Sequence, residues 1–317
     1  MIITVTLNAA FARTITVPNF QRGQRHRASA GLPLAGGKGI NVARALKTLG
    51  VPVIATGLAG GHAGLRIVER LTDEAILNDF VRIEGESRTT TAVVDPTNSS
   101  YTEINEWGPA VRPEELALFE AKLRYLSQGA RLVVFAGSLP RDVPDDLYTD
   151  AIRELHRRHV PSAIDCDGEA FRLGLEAEPF LVAPNQQEAE ALVGQEFHDE
   201  EDFVLALDGI ADRGARNVLI TTETGCYALL REERVVHRYR VEAPRLEPVS
   251  RVGAGDTLLA AYVAAWAAGR THEDALREAV AAGAASVLEL GAGRFDPREA
   301  LRLQGGVQVA ELTGVVA

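Results

Sequence analysis

An α/β fold built on a mostly parallel sheet is predicted by three features of the sequence. Continuous apolar runs recur along the chain, each ending in small or polar residues: Arg131–Pro140, Ser162–Gly168, Phe180–Asn185 and Asn217–Thr222. Such runs suit strands buried on both faces, as parallel strands are. Helical segments follow them, among them Ala170–Glu176 and Gln187–Val193, which gives the strand–helix alternation of α/β architecture. Glycine turns separate strand from helix. At 317 residues the chain fits one large domain or two smaller ones.

Ile2–Leu7 alternates β-branched and apolar residues and ends at Asn8, so the first strand carries a polar group at its carboxyl end. Arg13–Phe20 alternates again until Arg22, Arg25 and Arg27 interrupt it, which predicts a short β segment exposed on one face. Ile40, Ala43, Leu46 and Leu49 then keep helical spacing up to the stop at Gly50. Val53–Gly60 reads as a buried strand running into a glycine turn, with a helix over about residues 64–74. The threonine-rich segment Arg88–Ile104 predicts a hairpin turning at Asp95–Ser100. With the earlier β segment it can form a small sheet standing off the main domain, either a lid or an edge hairpin. Glu114–Ser127 is an amphipathic helix, and Leu258–Trp266 and Ala275–Leu290 are alanine-rich buried helices. Beyond Gln304 no signal is clear.

With 44 Asp+Glu against 33 Lys+Arg, the net charge of -11 argues against nucleic-acid binding. Any anion must then be met by local cations and amides. The two cysteines, Cys166 and Cys226, make no disulfide framework and are expected as free thiols in a reducing compartment. No basic leader and no apolar stretch of membrane-spanning length is seen, so a cytoplasmic protein without a membrane partner is expected.

Three places carry chemistry. Gly253, Ala254 and Gly255 fall at a helix N-terminus, where unpaired amides favour an anion, and Asp256 sits in the first turn. A carboxylate there either complements the helix dipole as a cap or takes a proton from a hydroxyl that attacks phosphorus. Gly36, Gly37 and Gly39 precede another helix with Lys38 among them, which is either a site for a polar or phosphorylated ligand or a plain turn. Its spacing is not that of the phosphate loop ending in Gly-Lys-Ser/Thr. Asn185 and Glu188 place an amide and a carboxylate at a strand-to-helix turn, either ordering a magnesium ion through water or capping the helix. In parallel sheets ligands bind at the carboxyl ends of strands, where Asn8, Gly137, Ser138, Asp165, Asn185 and Thr222 fall.

Taken together, several stretches resemble the ribokinase-like, or PfkB-type, carbohydrate kinases, in the branch that phosphorylates phosphosugars such as fructose 1-phosphate and tagatose 6-phosphate. They are Thr4–Asn8, Gly36–Ala43, Ala55–Gly57 with Gly60-Gly61, Thr102–Glu106, Gly137–Pro140, Asn185 with Glu188, and Val252–Asp256, in family order over nearly the whole chain. The resemblance implies a single doubly wound domain over residues 1–317, with lid segments at about 11–34 and 87–107, and a homodimer through that lid. It implies ATP and Mg2+ as cofactors, with Asp256 as the base and the Gly253–Gly255 amides stabilising the transferred phosphoryl group. It assigns Gly37, Gly39, Asn41 and Ser138 to the sugar and Lys38 and Arg88 to the phosphate already on it. Asn185, Glu188, Thr222 and Gly225 fall to the nucleotide, with Glu188 reaching the metal through water.

Two departures stand out against that pattern. Ala12 replaces the acid that usually closes the first family motif, and Ala183 replaces a lysine before Pro184-Asn185; Trp107 and Arg141 are smaller changes. The missing acid leaves the acceptor open. A weakened relative that binds nucleotide or sugar phosphate as a sensor, and a kinase of unphosphorylated sugars, are the alternative expectations.

Overall fold

In the computed structural model, residues 1–98 and 100–312 are described. The first half runs β1 (Ile2–Thr6), β2 (Ala10–Thr16), β3 (Ala30–Gly36), α1 (Lys38–Thr48), β4 (Val53–Gly60), α2 (Gly61–Asp73) and β5 (Leu77–Ile83). It continues through β6 (Arg88–Asp95), β7 (Ser100–Asn105), α3 (Pro113–Leu126), β8 (Leu132–Ala136), α4 (Leu147–Arg157) and β9 (Ser162–Asp165). Then come α5 (Gly168–Leu175), β10 (Leu181–Val182), α6 (Gln186–Val193), α7 (Glu200–Asp212), β11 (Asn217–Thr222), β12 (Gly225–Glu232) and β13 (Val235–Glu242). The chain closes with α8 (Ala254–Ala267), α9 (His272–Ser286), α10 (Pro297–Gln304) and β14 (Gln308–Glu311).

Ten strands form the main sheet in the order β14-β13-β12-β11-β10-β9-β8-β1-β4-β5. From β11 to β5 every pairing is parallel, and β12, β13 and β14 add an antiparallel margin. The apolar runs explain why helices cover both faces. Along β8, Leu132, Val134 and Ala136 enter one core with α1, α2, α8, α9 and α10, while Val133 and Phe135 enter the other with α3, α4, α5 and α7. Strand alternation thus splits one continuous run between two layers, which is the doubly wound arrangement. The small side chains of α8 and α9 let the two helices approach closely: a Cβ on Gly283 would lie 3.3 Å from Ala254 O.

A separate sheet of order β3-β2-β6-β7 stands beside these layers. Its β2 and β6 run parallel, with Ala10 opposite Arg88 and Ala12 opposite Thr90. The small sheet draws its strands from Ala10–Gly36 and Arg88–Asn105, with β2 starting earlier than Arg13 because Ala10 and Phe11 already pair with β3. Helix α9 begins at His272 rather than at Ala275, because the Thr271 hydroxyl accepts from the Asp274 amide and caps it there. Strand β14 lies where the sequence carried no signal.

Candidate active site

A cleft of about 980 Å³ opens between the small sheet and the carboxyl ends of the main strands. Asn8 after β1, Ser138 after β8, Asp165 at the end of β9 and Asn185 after β10 reach it from below, and Ala10, Ala12, Arg88 and Thr90 reach it from the small sheet. The first turns of α1 and α8 bring Lys38, Asn41 and Asp256 to the same space.

The turn before α8 is shaped by glycine. Gly253 has φ 79°, a left-handed conformation, and a Cβ there would lie 2.6 Å from the Cβ of Ala292, so only glycine sits there without displacing the Gly291–Gly293 loop. The chain then enters α8 with its first amides lacking intrahelical partners, beside Asp256. That carboxyl is 6% exposed, and its Oδ2 accepts a hydrogen bond from Asn41 Nδ2 at 2.8 Å. Burial, and then the charge of Asp165, push the Asp256 carboxyl from an ordinary 3.8 up to about 7, against the opposing pull of Lys38 and the Asn41 hydrogen bond. It is poised to gain and lose a proton near neutrality.

Lys38 stands between two more carboxylates. Its Nζ donates to Asp165 Oδ1 at 2.7 Å and to Glu188 Oε1 at 2.9 Å. Burial alone would lower its pKa, but Asp165, Glu188 and Asp256 together hold it well above the ordinary lysine value. Its charge is matched by acids on the side of the cleft where Asn185 lies. Glu188 closes a reciprocal capping box at the start of α6: its Oε2 accepts from the Asn185 backbone amide at 2.8 Å, and Asn185 Oδ1 accepts from the Glu188 backbone amide at 2.9 Å. The capping pair also lines the cleft.

On the opposite wall Arg88 is half-buried. Its Nε donates to Asn8 O at 3.1 Å and its Nη1 approaches Asn105 Oδ1 at 3.4 Å. Burial draws its pKa below the usual guanidinium value while Glu103 and Glu106 push it back. Among the described residues it has no carboxylate in ion-pair contact, so its remaining donors are open to a ligand. Asn8 Nδ2 donates to Ser138 Oγ at 3.1 Å, joining the two wall residues. Ala12 lines the cleft between Leu34 and Thr90, with Gly36 packed so tightly that a Cβ there would come 2.7 Å from the Cβ of Ala12.

Gly37, Lys38, Asn41, Arg88, Ser138, Asn185, Glu188, Gly253, Ala254, Gly255 and Asp256 all line this one cleft. Gly39, Thr222 and Gly225 do not line it. A Cβ on Gly39 would lie 2.5 Å from Val5 O, so its role is the close packing of α1 on β1. Gly225 has φ 152° and faces Val241 O at 1.9 Å from its absent Cβ, which the β12–β13 pairing requires. Thr222 closes the β11–β12 turn with Thr224. Sequence reasoning placed Asp165 at a strand's carboxyl end but gave it no role, although an acid ending a buried apolar run was a signal.

The model of the pfkB family of carbohydrate kinases matches residues 6–299. The chain is 32% identical to the 1-phosphofructokinase of Borreliella burgdorferi over 91% of this chain and 92% of that one. It is also 32% identical to the 1-phosphofructokinase of Bacillus subtilis, over 93% of this chain and 96% of the other. The crystal structure of phosphofructokinase-2 from Escherichia coli in complex with substrates and products superposes with a TM-score of 0.88 at 28% identity, over 96% of this chain and 98% of that one. The cleft, the sheet order and these similarities agree, and the chain belongs to the pfkB family of carbohydrate kinases.

Proposed function

We propose that this protein transfers the terminal phosphoryl group of ATP to a hydroxyl of a phosphorylated sugar of the fructose 1-phosphate or tagatose 6-phosphate type. The observation that carries the reading is the buried Asp256 carboxyl beside the first amides of α8, with Arg88 across the same cleft lacking a carboxylate in ion-pair contact among the described residues. An acceptor lying between them has its phosphate on Arg88 and its hydroxyl on Asp256. Asp256 takes the hydroxyl proton as the oxygen attacks, and the amides of Gly253–Gly255 meet the charge on the transferred group. Phosphoryl transfer asks little covalent chemistry of a protein, so holding the partners in line supplies most of the acceleration.

The donor set fits a magnesium ion. Two carboxylates, Asp165 and Glu188, stand at the cleft within reach of one ammonium, and magnesium is usually held by one or two carboxylates together with substrate phosphates and water. When bound, the ion would neutralise phosphate charge, with Glu188 and Asp165 holding it directly or through water. The small sheet is assigned as a lid on one domain, because Ala12, Arg88 and Thr90 form the roof of the cleft. Strand β7 is exposed along its whole length, with Tyr101 and Ile104 on it, which supports a homodimer formed through that lid. Two buried free thiols, Cys166 and Cys226, suit a cytoplasmic setting.

A coupled assay with ATP and Mg2+ across fructose 1-phosphate, tagatose 6-phosphate, fructose 6-phosphate and unphosphorylated sugars tests the reading. Turnover confined to phosphosugars supports it. Turnover confined to neutral sugars, or ligand binding without any turnover, sinks it.

A further inference from the structure

Arg44 is the most completely buried guanidinium that touches the candidate site's supporting shell, at 4% exposure on the turn of α1 after Asn41. Every N–H donor it carries is matched. Nε donates to Glu74 Oε2 and Nη2 to Glu74 Oε1 at 3.1 Å and to Ala35 O at 2.7 Å. Nη1 donates to Ala292 O at 2.9 Å and to Asn41 Oδ1 at 3.2 Å. One side chain thus joins α1, the end of β3, the C-cap of α2 and the glycine loop on which Gly253 packs.

The contact with Asn41 decides which way that amide faces. An amide presents an oxygen at one end and N–H groups at the other. With Oδ1 taken by the guanidinium, Nδ2 is left to donate to Asp256. Turned over, it would set an N–H against the guanidinium and an oxygen against the carboxyl, losing both bonds. The link to Ala292 O acts on the same target, because Ala292 is the residue against which Gly253 packs.

We infer that Arg44 is a positioning residue for phosphoryl transfer: it locks the Asn41 amide with its donor on Asp256 and clamps the Gly291–Gly293 loop beneath the turn that opens α8. The inference rests on the kinase reading for its consequence, but the contact it describes is present without substrate. A merely structural Arg44 would add stability and leave the protonation of Asp256 untouched.

The test follows Asp256 in two ways in wild type, Arg44→Lys, Asn41→Ala and the double variant. The first is the acidic limb of the pH profile of kcat. The second needs no turnover: it is the pH above which the stabilisation by Asp256→Asn stops growing in each background, which follows the pKa of Asp256 in the folded protein. Lysine keeps the charge beside Glu74 but cannot reach Asn41 and Ala292 together. Losing the aimed donor raises the Asp256 pKa, so both readouts move up by roughly half to one pH unit in Arg44→Lys. The kcat plateau falls about 10- to 100-fold, and the double variant is no worse than Asn41→Ala. If Arg44→Lys does not fold, Glu74→Gln at a half-buried position loosens the same guanidinium and moves both readouts less, in the same direction. Unmoved readouts in whichever variant folds, or losses that multiply in the double variant, overturn the inference. A wild-type protein with no turnover would instead count against the kinase reading, and the melting readout would still decide the role of Arg44.

Discussion

The Nζ of Lys38 lies 2.7 Å from Oδ1 of Asp165, and the same ammonium reaches Glu188 at 2.9 Å. This bridge joins the first turn of α1 to the end of β9 and the start of α6, and it sets the field in which Asp256 titrates. Lys38 lowers the Asp256 pKa while Asp165 and Glu188 raise it. Lys38→Met removes the one charge of the three that favours the carboxylate. The acidic limb of kcat should therefore move to higher pH, and the two acids left facing each other should lower stability by about 1–3 kcal/mol. A pH–rate profile with thermal melts checks both, and a limb that stays in place or moves down contradicts the account.

In the proposed function, Asp256 serves as a base only when ionised. With its pKa at about 7, kcat should fall as pH drops below neutrality and level off above it. Asp256→Asn should remove that limb along with roughly 100- to 10,000-fold of the rate. Acceptor binding by calorimetry should stay within a few-fold of wild type, because the carboxyl contributes to the reacting state more than to ground-state affinity. Wild-type turnover in Asp256→Asn would remove the residue from the chemistry.

The same carboxyl makes a stability prediction with a definite sign. Its folded pKa of about 7 lies above an ordinary 3.8, so the folded state binds the proton more tightly than the unfolded chain does. The stability linked to that proton is complete below about pH 4 and is lost as pH rises through 7. Asp256→Asn, neutral at every pH, should melt at a higher temperature than wild type at pH 8. The gain is on the order of a few kcal/mol and disappears toward pH 4. Calorimetric melts of ligand-free protein across this range decide it.

Much of this arrangement is legible in local sequence, and what is not has a physical reason. The buried parallel strands announce themselves because both faces are apolar, as in Leu132–Ala136. Gly253 and Asp256 stand out because a glycine turn with an acid in the next helical turn sits at the start of an alanine-rich helix, where a cap and an anion site share one local pattern. The β13 and β14 strands are quieter: β13 carries His237, Arg238 and Arg240 on a half-exposed margin of the sheet, so its alternation is weak. Partners far apart in the chain are quieter still. Nothing local to Lys38 indicates that acids 127 and 150 residues away will claim it. Arg44 likewise looks like any helix arginine until Glu74 and Ala292 arrive from elsewhere.

In the proposed function, Arg88 separates phosphorylated from neutral acceptors. It is held by Asn8 O at 3.1 Å and has no carboxylate in ion-pair contact among the described residues, so a dianionic phosphate is the partner its remaining donors lack. A charge-assisted bond of this kind is worth about 1.5–3 kcal/mol. Arg88→Ala should therefore raise KM for a phosphosugar about 10- to 100-fold while leaving its kcat within a few-fold and scarcely altering any turnover of a neutral sugar. Equal losses on both substrate classes would move the phosphate elsewhere in the cleft.

Trp107 should report acceptor binding through its fluorescence. It is 82% exposed at the rim of the cleft, with the Arg141 guanidinium carbon 5.8 Å from its ring centroid. The next residue, Gly108, packs so closely that a Cβ would come 2.2 Å from Asn8 Oδ1, and Asn8 is the residue whose carbonyl holds Arg88. A ligand seated on Arg88 therefore acts on the loop that carries Trp107. The only other tryptophan, Trp266, is half-buried against Phe180 at 4.6 Å between ring centroids and lies away from the cleft lining. Saturating phosphosugar should shield Trp107 from acrylamide and shift its emission to shorter wavelength, as the ring leaves water. Trp107→Phe should abolish the change, whereas Trp266→Phe should preserve it. A signal that survives in Trp107→Phe would place the moving part of the lid on another segment.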